Sequence, residues 1–194
     1  SLSGKVGSGA ALGGVMGYVK TYTGSHMYNY GKVSVVDAEI FYIYMGGCVG
    51  IGAKSTALTE LHNYGEVYTD ENSTCGYIVC GGVLGYQSSN HANAESTNSY
   101  LRNSTNSGPL NISHNDLADE LHNGTNTFYY RIGGIAGWTQ NYIENCNNLE
   151  GGKISCKADL FDCTDMFYRN CIGGLVGYKT VSKIHNSHND ATVD

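Results

Sequence analysis

The chain has 194 residues, of which 14% are charged, and its formal net charge is −6. Average globular proteins have roughly 25% charged residues, whereas this chain is rich in Gly (27 residues) and Tyr (16) and has one Pro. The composition disfavours helices and disorder, and the lack of basic clusters disfavours a nucleic-acid partner. No apolar run reaches the ~18 residues of a membrane-spanning helix.

The first predicted element of each sequence period is a strand rich in aromatic residues. Apolar and polar residues alternate within these segments with a period of two, and aromatic residues favour strands. The segments are FYIYM (41–45), GYIVC (76–80), FYYRI (128–132) and FYRNCI (167–172).

A glycine motif follows each of these strands. It reads apolar, Gly, Gly, apolar, apolar or small, Gly, and it ends with an aromatic residue in four of five copies. The copies start at Leu12, Met45, Cys80, Ile132 and Ile172. The first glycines of the pairs are Gly13, Gly46, Gly81, Gly133 and Gly173. Five copies at similar spacing predict that these glycines form the corners of a repeating structure.

A third element contains an asparagine at a nearly constant distance. It reads NYGKV (29–33), NYGEV (63–67) and NDATV (189–193), with looser forms at NNLEGGKI (147–154) and SHNDL (113–117). The step from the first glycine to this asparagine is 16, 17 and 16 residues in the first, second and fifth copies. We expect a ladder of side-chain amides, each bonded to the next, formed by Asn29, Asn63, Asn115, Asn148 and Asn189.

Two insertions interrupt the period. The first is the Ser/Asn-rich segment at about 87–109, and the second is the segment at about 156–171, which contains three of the seven cysteines. Apart from them, three strand-like pieces recur every 33 to 35 residues, as the steps from Gly13 to Gly46 and from Gly46 to Gly81 show.

Repeats of this size bury their apolar faces by stacking on one another. We therefore predict an all-β fold, a right-handed β-solenoid of about five coils, in which residues 1–194 form a single array. The aromatic residue after each motif is predicted to stack in one column, which Ile51 interrupts; its other members are Tyr18, Tyr86, Trp138 and Tyr178.

The glycine motif followed by an Asn-x-Gly-x-Val strand resembles the GLUG-motif repeats. The resemblance covers nearly the whole chain through its five copies, whereas the two insertions and the cysteine content depart from the pattern. Those repeats occur in long, modular surface and secreted proteins, including adhesins. The resemblance therefore implies a repeat architecture and a place at the cell surface, and it implies no catalytic activity.

Both ends of the sequence have the same phase of the repeat. SGKV (3–6) matches YGKV (30–33), and ATV (191–193) falls in the same position. Neither end has the polar cap that usually closes a stack of repeats. We therefore expect the ends to join more protein, either as part of a longer repeat protein or by end-to-end stacking in a polymer.

No set of residues predicts a metal site or an active site. His62, His114 and His188 fall in one predicted column next to the asparagines, and His185 is close to His188, but imidazole pairs without a thiolate or carboxylate hold metals poorly. Asp116, Asp119 and Glu120 cluster as acids would in a carbohydrate-active β-helix enzyme or a calcium site. A solvated acidic face explains them better, because the calcium-loop pattern DxDxDG is missing and no Lys or Arg is placed as a lyase would need, and we predict no cofactor and no enzymatic activity.

Cysteines and glycosylation sequons indicate an extracellular protein. Disulfides between Cys156 and Cys171 or between Cys163 and Cys171 would close the second insertion, and Cys75 is a further candidate. Cys80 occupies a predicted inward position filled elsewhere by Leu, Met and Ile. N-glycosylation sequons lie at Asn72, Asn103, Asn111 and Asn123.

Three function classes remain open. The chain is expected to be a secreted or cell-surface structural unit that builds a fibre, coat or stalk by self-association. The alternatives are an adhesin or glycan-binding module, favoured by the tyrosines and the exposed Ser/Asn-rich segment, and a carbohydrate-active β-helix enzyme.

Overall fold

The computed structural model describes residues 1–20, 22–53, 56–88, 99–113, 115–116, 129–157, 170–180 and 183–194. All regular structure in these ranges is β-strand, numbered β1 to β22 in chain order. Among the described residues there is no helix that could cross a membrane.

The strands form three sheets. The nine-stranded sheet contains β1 (Leu2–Gly13), β4 (Val33–Gly46), β7 (Val67–Thr69), β8 (Thr74–Gly81), β12 (Leu110–Ile112), β13 (Asn115–Asp116), β14 (Tyr129–Gly133), β18 (Ile154–Cys156) and β19 (Asn170–Gly173). The five-stranded sheet contains β2 (Met16–Val19), β5 (Val49–Gly52), β9 (Leu84–Gln87), β15 (Ala136–Thr139) and β20 (Val176–Lys179). The eight-stranded sheet contains β3 (Tyr22–Asn29), β6 (Thr56–Asn63), β10 (Tyr100–Arg102), β11 (Thr105–Asn106), β16 (Tyr142–Glu144), β17 (Asn147–Asn148), β21 (Ile184–His185) and β22 (His188–Asn189).

The chain visits the sheets in a fixed order. Strand β4 of the nine-stranded sheet leads to β5 of the five-stranded sheet, then to β6 of the eight-stranded sheet, and β7 returns to the first. We call one such passage a circuit. The strands of the five-stranded sheet neighbour one another in chain order, and the named strands pair in parallel. Two neighbouring parallel strands must be joined by a crossover connection. Here that connection consists of the strands that the chain adds to the other two sheets. This arrangement is compatible with a β-helix or solenoid.

The glycine motif aligns across the strands. Backbone pairing runs from Gly13 to Gly46, from Gly46 to Gly81, and on to Gly133 and Gly173. In the five-stranded sheet the aromatic positions pair in the same way, in the order Tyr18, Ile51, Tyr86, Trp138 and Tyr178. Equivalent positions of the motif therefore lie beside one another in neighbouring strands.

The interior contains two apolar clusters. One follows the nine-stranded sheet and includes Ile43, Ile78 and Ile132, and the other lies between the five- and eight-stranded sheets and includes Leu58 and Leu101. All five side chains are fully buried. Because side chains alternate between the faces of a strand, one face of each sheet supplies these residues.

The structure corrects the first predicted insertion. Strand β10 pairs in register with β6, Leu101 lying opposite Leu58, and β11 continues that pairing to Asn106. Strands β10 and β11, on either side of the bend at residues 103–104, are therefore part of a regular circuit and do not belong to an insertion, while 89–98 lie outside the described residues. At the second insertion, β18 reaches Cys156 and β19 begins at Asn170, and residues 158–169 lie outside the described part.

The expected phase of the first residues is also corrected. Val6 pairs with Ile40, and Leu2 pairs with Val35. The segment SGKV (3–6) is therefore not equivalent to YGKV (30–33), because it lies further along the strand. At the other end, Val193 forms a parallel bridge with Ile154, the first residue of β18.

Candidate functional site

The second glycine of each pair faces a ladder asparagine. A Cβ atom added to Gly47 would overlap the Asn63 side chain and the Gly82 carbonyl, and one added to Gly82 would overlap Asn106 and the Gly134 carbonyl. The same relation holds between Gly14 and Asn29, Gly134 and Asn148, and Gly174 and Asn189. The glycine motif and the asparagine element, although 14 to 24 residues apart in sequence, thus form one packed unit at the corner.

The third glycine brings two sheets into backbone contact. A Cβ on Gly85 would lie 2.8 Å from the backbone N and O atoms of Met45, and one on Gly137 would lie 2.6 Å from the backbone N of Cys80. Separations below 3.0 Å are not tolerated by a real Cβ. The five-stranded sheet therefore approaches the nine-stranded sheet more closely than any side chain would allow, which is the reason for a third glycine.

The asparagines form a continuous hydrogen-bonded ladder. Each Nδ2 group donates to the Oδ1 atom of the next asparagine, at 2.8 Å (Asn29 to Asn63), 2.9 Å (Asn63 to Asn106), 2.9 Å (Asn106 to Asn148) and 2.8 Å (Asn148 to Asn189). The same amide also closes a local turn: Asn63 Nδ2 donates to the Gly65 carbonyl at 2.7 Å, and Asn63 Oδ1 accepts from the Gly65 N–H at 3.2 Å. Both N–H groups and the oxygen of the buried Asn63 amide are thereby used.

The prediction of Asn115 as a ladder member is wrong. Its backbone pairs with Thr74 in the nine-stranded sheet, whereas Asn106 of the eight-stranded sheet occupies the ladder position. A sequence signal for Asn106 exists: NSGPL (106–110) has the same pattern as NYGKV (29–33). The similarity of SHNDL (113–117) to SHNDA (187–191) concealed it.

A second column was not predicted. Five residues with a left-handed backbone, φ between 45° and 57°, occupy equivalent places three residues before the ladder asparagines: His26, Glu60, Asn103, Asn145 and Asn186. Asn adopts this conformation more readily than most residues. The recurring N-x-x-N pattern of NSTN (103–106), NCNN (145–148) and NSHN (186–189) is its sequence signal.

Aromatic rings stack along the same direction as the ladder. Tyr30 and Tyr64 lie parallel with centroids 4.9 Å apart, and Tyr42 and Tyr77 are 4.4 Å apart. In the five-stranded sheet, the Tyr86 and Trp138 centroids are 4.6 Å apart. Rings that stack in this way cover one another's faces, which are the surfaces on which a sugar ring would stack.

The predicted histidine column is only partly present. The order of residues opposite one another is Tyr28, His62, Thr105, Asn147 and His188. His62 and His188 are thus separated by two strands, and His114 lies outside the described residues. His62 stacks on Tyr28, and burial lowers the pKa of its imidazole. No group of three or more potential ligands among the described residues is arranged to hold a metal ion.

Four of the six described cysteines lie inside the molecule. Cys75 and Cys80 lie in the same strand, β8, and carry fully buried free thiols, while Cys156 is a free, half-buried thiol. These placements do not provide the disulfides expected at Cys75 and Cys156. Cys171 is half-buried in β19, and Cys163 lies outside the described residues.

Burial makes these thiols poor nucleophiles. It raises the pKa of Cys146 to about 11 and the pKa of Cys48 and Cys75 to about 12, and thiolates are the reactive form. We expect these three thiols to resist maleimide at mildly alkaline pH in the native protein and to react fully in guanidinium chloride. Peptide mass mapping checks this; rapid labelling of Cys48 in the native state would contradict the packing of the corner.

The remaining candidates are scattered. Asn72 and Asn103 are exposed, whereas Asn111 is half-buried and its Nδ2 group donates to Glu66 Oε1 at 2.6 Å. Asn123 lies outside the described residues. The backbone of Asp116 pairs with Cys75, while Asp119 and Glu120 also lie outside the described part. Of the three acids, the structure places Asp116 alone, and the acidic cluster stays a prediction.

Ion pairs link neighbouring strands on the surface. Lys5 contacts Glu39 at 2.8 Å, Lys32 contacts Glu66 at 2.9 Å, and Arg102 contacts Glu144 at 2.8 Å. Exposed pairs contribute at most about 1 kcal/mol each, so they assist the alignment of circuits that the corner already determines.

No protein-family model, curated protein or solved structure matches the chain. Its function is therefore inferred from the corner and the ladder described above and from the two ends of the stack of circuits.

Proposed function

We propose that the chain is a non-catalytic structural unit, a right-handed β-solenoid of five coils, each coil being one circuit through the three sheets. The recurring visit to the sheets in one order and the alignment of the corner glycines support this proposal. Its function is to assemble end to end, with other copies or with further repeats, into a fibre, coat or stalk.

The observation that carries this proposal is the exposure of the interior at both ends. Val15 is 43% exposed, whereas Cys48 and Val83, at the same position of the next two circuits, are fully buried. At the opposite end Ile184 is 40% and Val193 44% exposed. Apolar side chains of this kind gain about 25 cal/mol per Å² when they leave water.

Unpaired strand edges accompany these apolar ends. Within the described residues, β2 has the neighbour β5 and β20 has the neighbour β15, each on one side only. An exposed parallel edge offers backbone donors and acceptors to another strand. Hydrogen bonding and apolar contact thus favour the same interaction.

The proposal includes an extracellular or cell-surface location. It is supported by the resemblance to GLUG-motif repeats and by the exposure of the sequon residues Asn72 and Asn103. The predicted disulfide between Cys163 and Cys171 belongs to the same proposal, since such a bond would close the second insertion.

Sedimentation velocity over a range of micromolar concentrations tests the assembly. We expect the weight-average sedimentation coefficient to rise with concentration, because each end covers apolar surface, and negative-stain electron microscopy should show rods. A species that stays monomeric and globular at every concentration would contradict an assembly role.

Glycan binding is the alternative, and the exposed rings of Tyr28, Tyr30 and Tyr64 favour it. Tyr28 stacks on His62, and Tyr30 stacks on Tyr64. Contact between neighbouring circuits explains this stacking equally well. A glycan array separates the two functions, since a structural unit gives no carbohydrate signal. Enzymatic activity of a β-helix type is the weaker alternative, because the acids that suggested it do not form a described site.

A further inference from the structure

The amide ladder ends in an acceptor on one side. The inner residue Asn63 accepts two hydrogen bonds at Oδ1, from Asn29 Nδ2 at 2.8 Å and from the Gly65 N–H at 3.2 Å. Asn29 Oδ1 accepts one, from the Gly31 N–H at 3.1 Å. Within the described ranges, the first ladder amide therefore has room for one more donor.

The same ladder ends in a donor on the other side. The inner residue Asn148 donates two hydrogen bonds from Nδ2, to the Gly152 carbonyl at 3.0 Å and to Asn189 Oδ1 at 2.8 Å. Asn189 donates one, to the Ala191 carbonyl at 2.7 Å. Among the residues with described positions, the last ladder amide therefore has one N–H left to donate.

A backbone series beside the ladder has the opposite direction. The N–H after each ladder asparagine donates to the carbonyl of the asparagine one circuit earlier, at 2.8 Å from Tyr64 to Asn29, from Ser107 to Asn63, from Leu149 to Asn106 and from Asp190 to Asn148. Continuation of this series would require an acceptor for the Tyr30 N–H at one end and a donor for the Asn189 carbonyl at the other.

We propose that a second copy of this chain docks head to tail, so that Asn189 of one copy donates to Asn29 of the next while Tyr30 N–H of the next donates back to the Asn189 carbonyl. A head-to-head contact would oppose two Asn29 acceptors, and a tail-to-tail contact two Asn189 donors. Head-to-tail docking continues both series with the pairing already present between circuits, whereas a head-to-head contact would have to pair the Tyr30 N–H with Asn29 Oδ1 and would break both series. This inference rests on the proposed assembly function and adds its direction and register.

Apolar positions also match in this register. Leu175 of one copy would cover Val15 of the next, and Val176 would cover Met16. On their other side, Val15 and Met16 already lie against Cys48 and Val49 of the following circuit. Leu175 and Val176 are half-buried in one copy, whereas the equivalent Ile135 and Ala136 are fully buried. The contact therefore repeats the packing already present between inner circuits.

Gly31 provides a variant that separates docking from folding. In the inner circuits the equivalent Gly65 and Gly108 lie against the backbone carbonyl of the previous circuit, which a Cβ would overlap. At Gly31 the added Cβ meets only Asn29 Oδ1, at 3.7 Å. Gly31→Ala should therefore leave the single chain intact and collide with the Ala191 carbonyl of a docked copy.

The first experiment measures association by sedimentation for the unaltered chain, Gly31→Ala and Asn189→Asp, with Asn72→Ala as the control. Asn189→Asp keeps the acceptor that Asn148 uses, and it removes both the end donor and the bond from Asn189 Nδ2 to the Ala191 carbonyl in the last turn. We expect both end variants to keep the circular dichroism spectrum and to weaken association about tenfold or more, as loss of one interface hydrogen bond does. Unchanged association in both would overturn the proposed register.

The second experiment determines the direction. Tyr30 and Asp190 occupy equivalent positions, so Tyr30→Cys and Asp190→Cys variants should form a mixed disulfide when combined, since neighbouring strands lie about 4.8 Å apart. The unaltered chain controls for native thiols. A disulfide between two Tyr30→Cys chains would overturn the head-to-tail direction while the assembly function stands. Absence of any association in the unaltered chain would overturn both.

Discussion

Replacing Gly81 by alanine is expected to lower the free energy of unfolding by more than about 4 kcal/mol, or to prevent folding. The added Cβ would lie 2.8 Å from the Ala136 Cα atom and 2.8 Å from the Gly137 backbone N, and it would overlap the Leu84 carbonyl. All three obstacles are backbone atoms of paired strands, so none can rotate away as a side chain would. Overpacking that cannot relax belongs to the largest destabilising effects.

Gly31→Ala is the matched control for this prediction. It is the same chemical change, but its Cβ would meet one side-chain atom at an ordinary 3.7 Å. We expect its unfolding free energy to stay within about 0.5 kcal/mol of the parent, as for a typical surface change. Denaturant titration at a concentration where the chain is monomeric compares the two; equal stability of the two variants would contradict the close backbone contact at the corner.

Asn106→Ala is expected to lower the free energy of unfolding by about 3 to 5 kcal/mol, because each buried group left without its partner costs about 1 to 3 kcal/mol. The change removes the acceptor of Asn63 Nδ2, the donor to Asn148 Oδ1 and the donor to the Gly108 carbonyl. Asn106 is fully buried, so water cannot replace these bonds without opening the corner.

Asn72→Ala is the matched control, since Asn72 is exposed and its removal should change stability by no more than about 0.5 kcal/mol. Urea titration followed by circular dichroism measures both variants. If Asn106→Ala were as stable as Asn72→Ala, the amide ladder would contribute nothing to stability, and the corner would depend on glycine packing alone.

The sequence was most informative where a residue type has one physical reason to recur. Gly13, Gly46 and Gly81 could be aligned because a close backbone approach excludes every other side chain. Asn29, Asn63 and Asn189 could be aligned because each begins a short turn that includes a Gly or Ala two residues later. The all-β character and the parallel pairing of repeats follow from these two columns.

The sequence was least informative near the insertions. Asn106 and Asn115 both precede apolar residues, so either could be the ladder asparagine of the third circuit. Only the strand pairing decides between them, because β10 and β11 pair with β6, which places Asn106 opposite Asn63, whereas Asn115 pairs with β8. The left-handed column was concealed for another reason: His26 and Glu60 replace Asn in its first two positions. The ladder member of the third circuit and the members of the left-handed column are both determined by pairing between strands that are distant in sequence. Local sequence patterns do not predict such pairing.

The amide ladder has a further consequence for cooperativity. Its four bonds all point from Asn29 towards Asn189, so the amide dipoles are aligned and each polarises the next. Such chains strengthen their members by about 10–30% per bond. An interruption at Asn106 therefore divides one long series of dipoles into two short ones, whereas an interruption at Asn29 only shortens it, and the central position should be the more sensitive of the two.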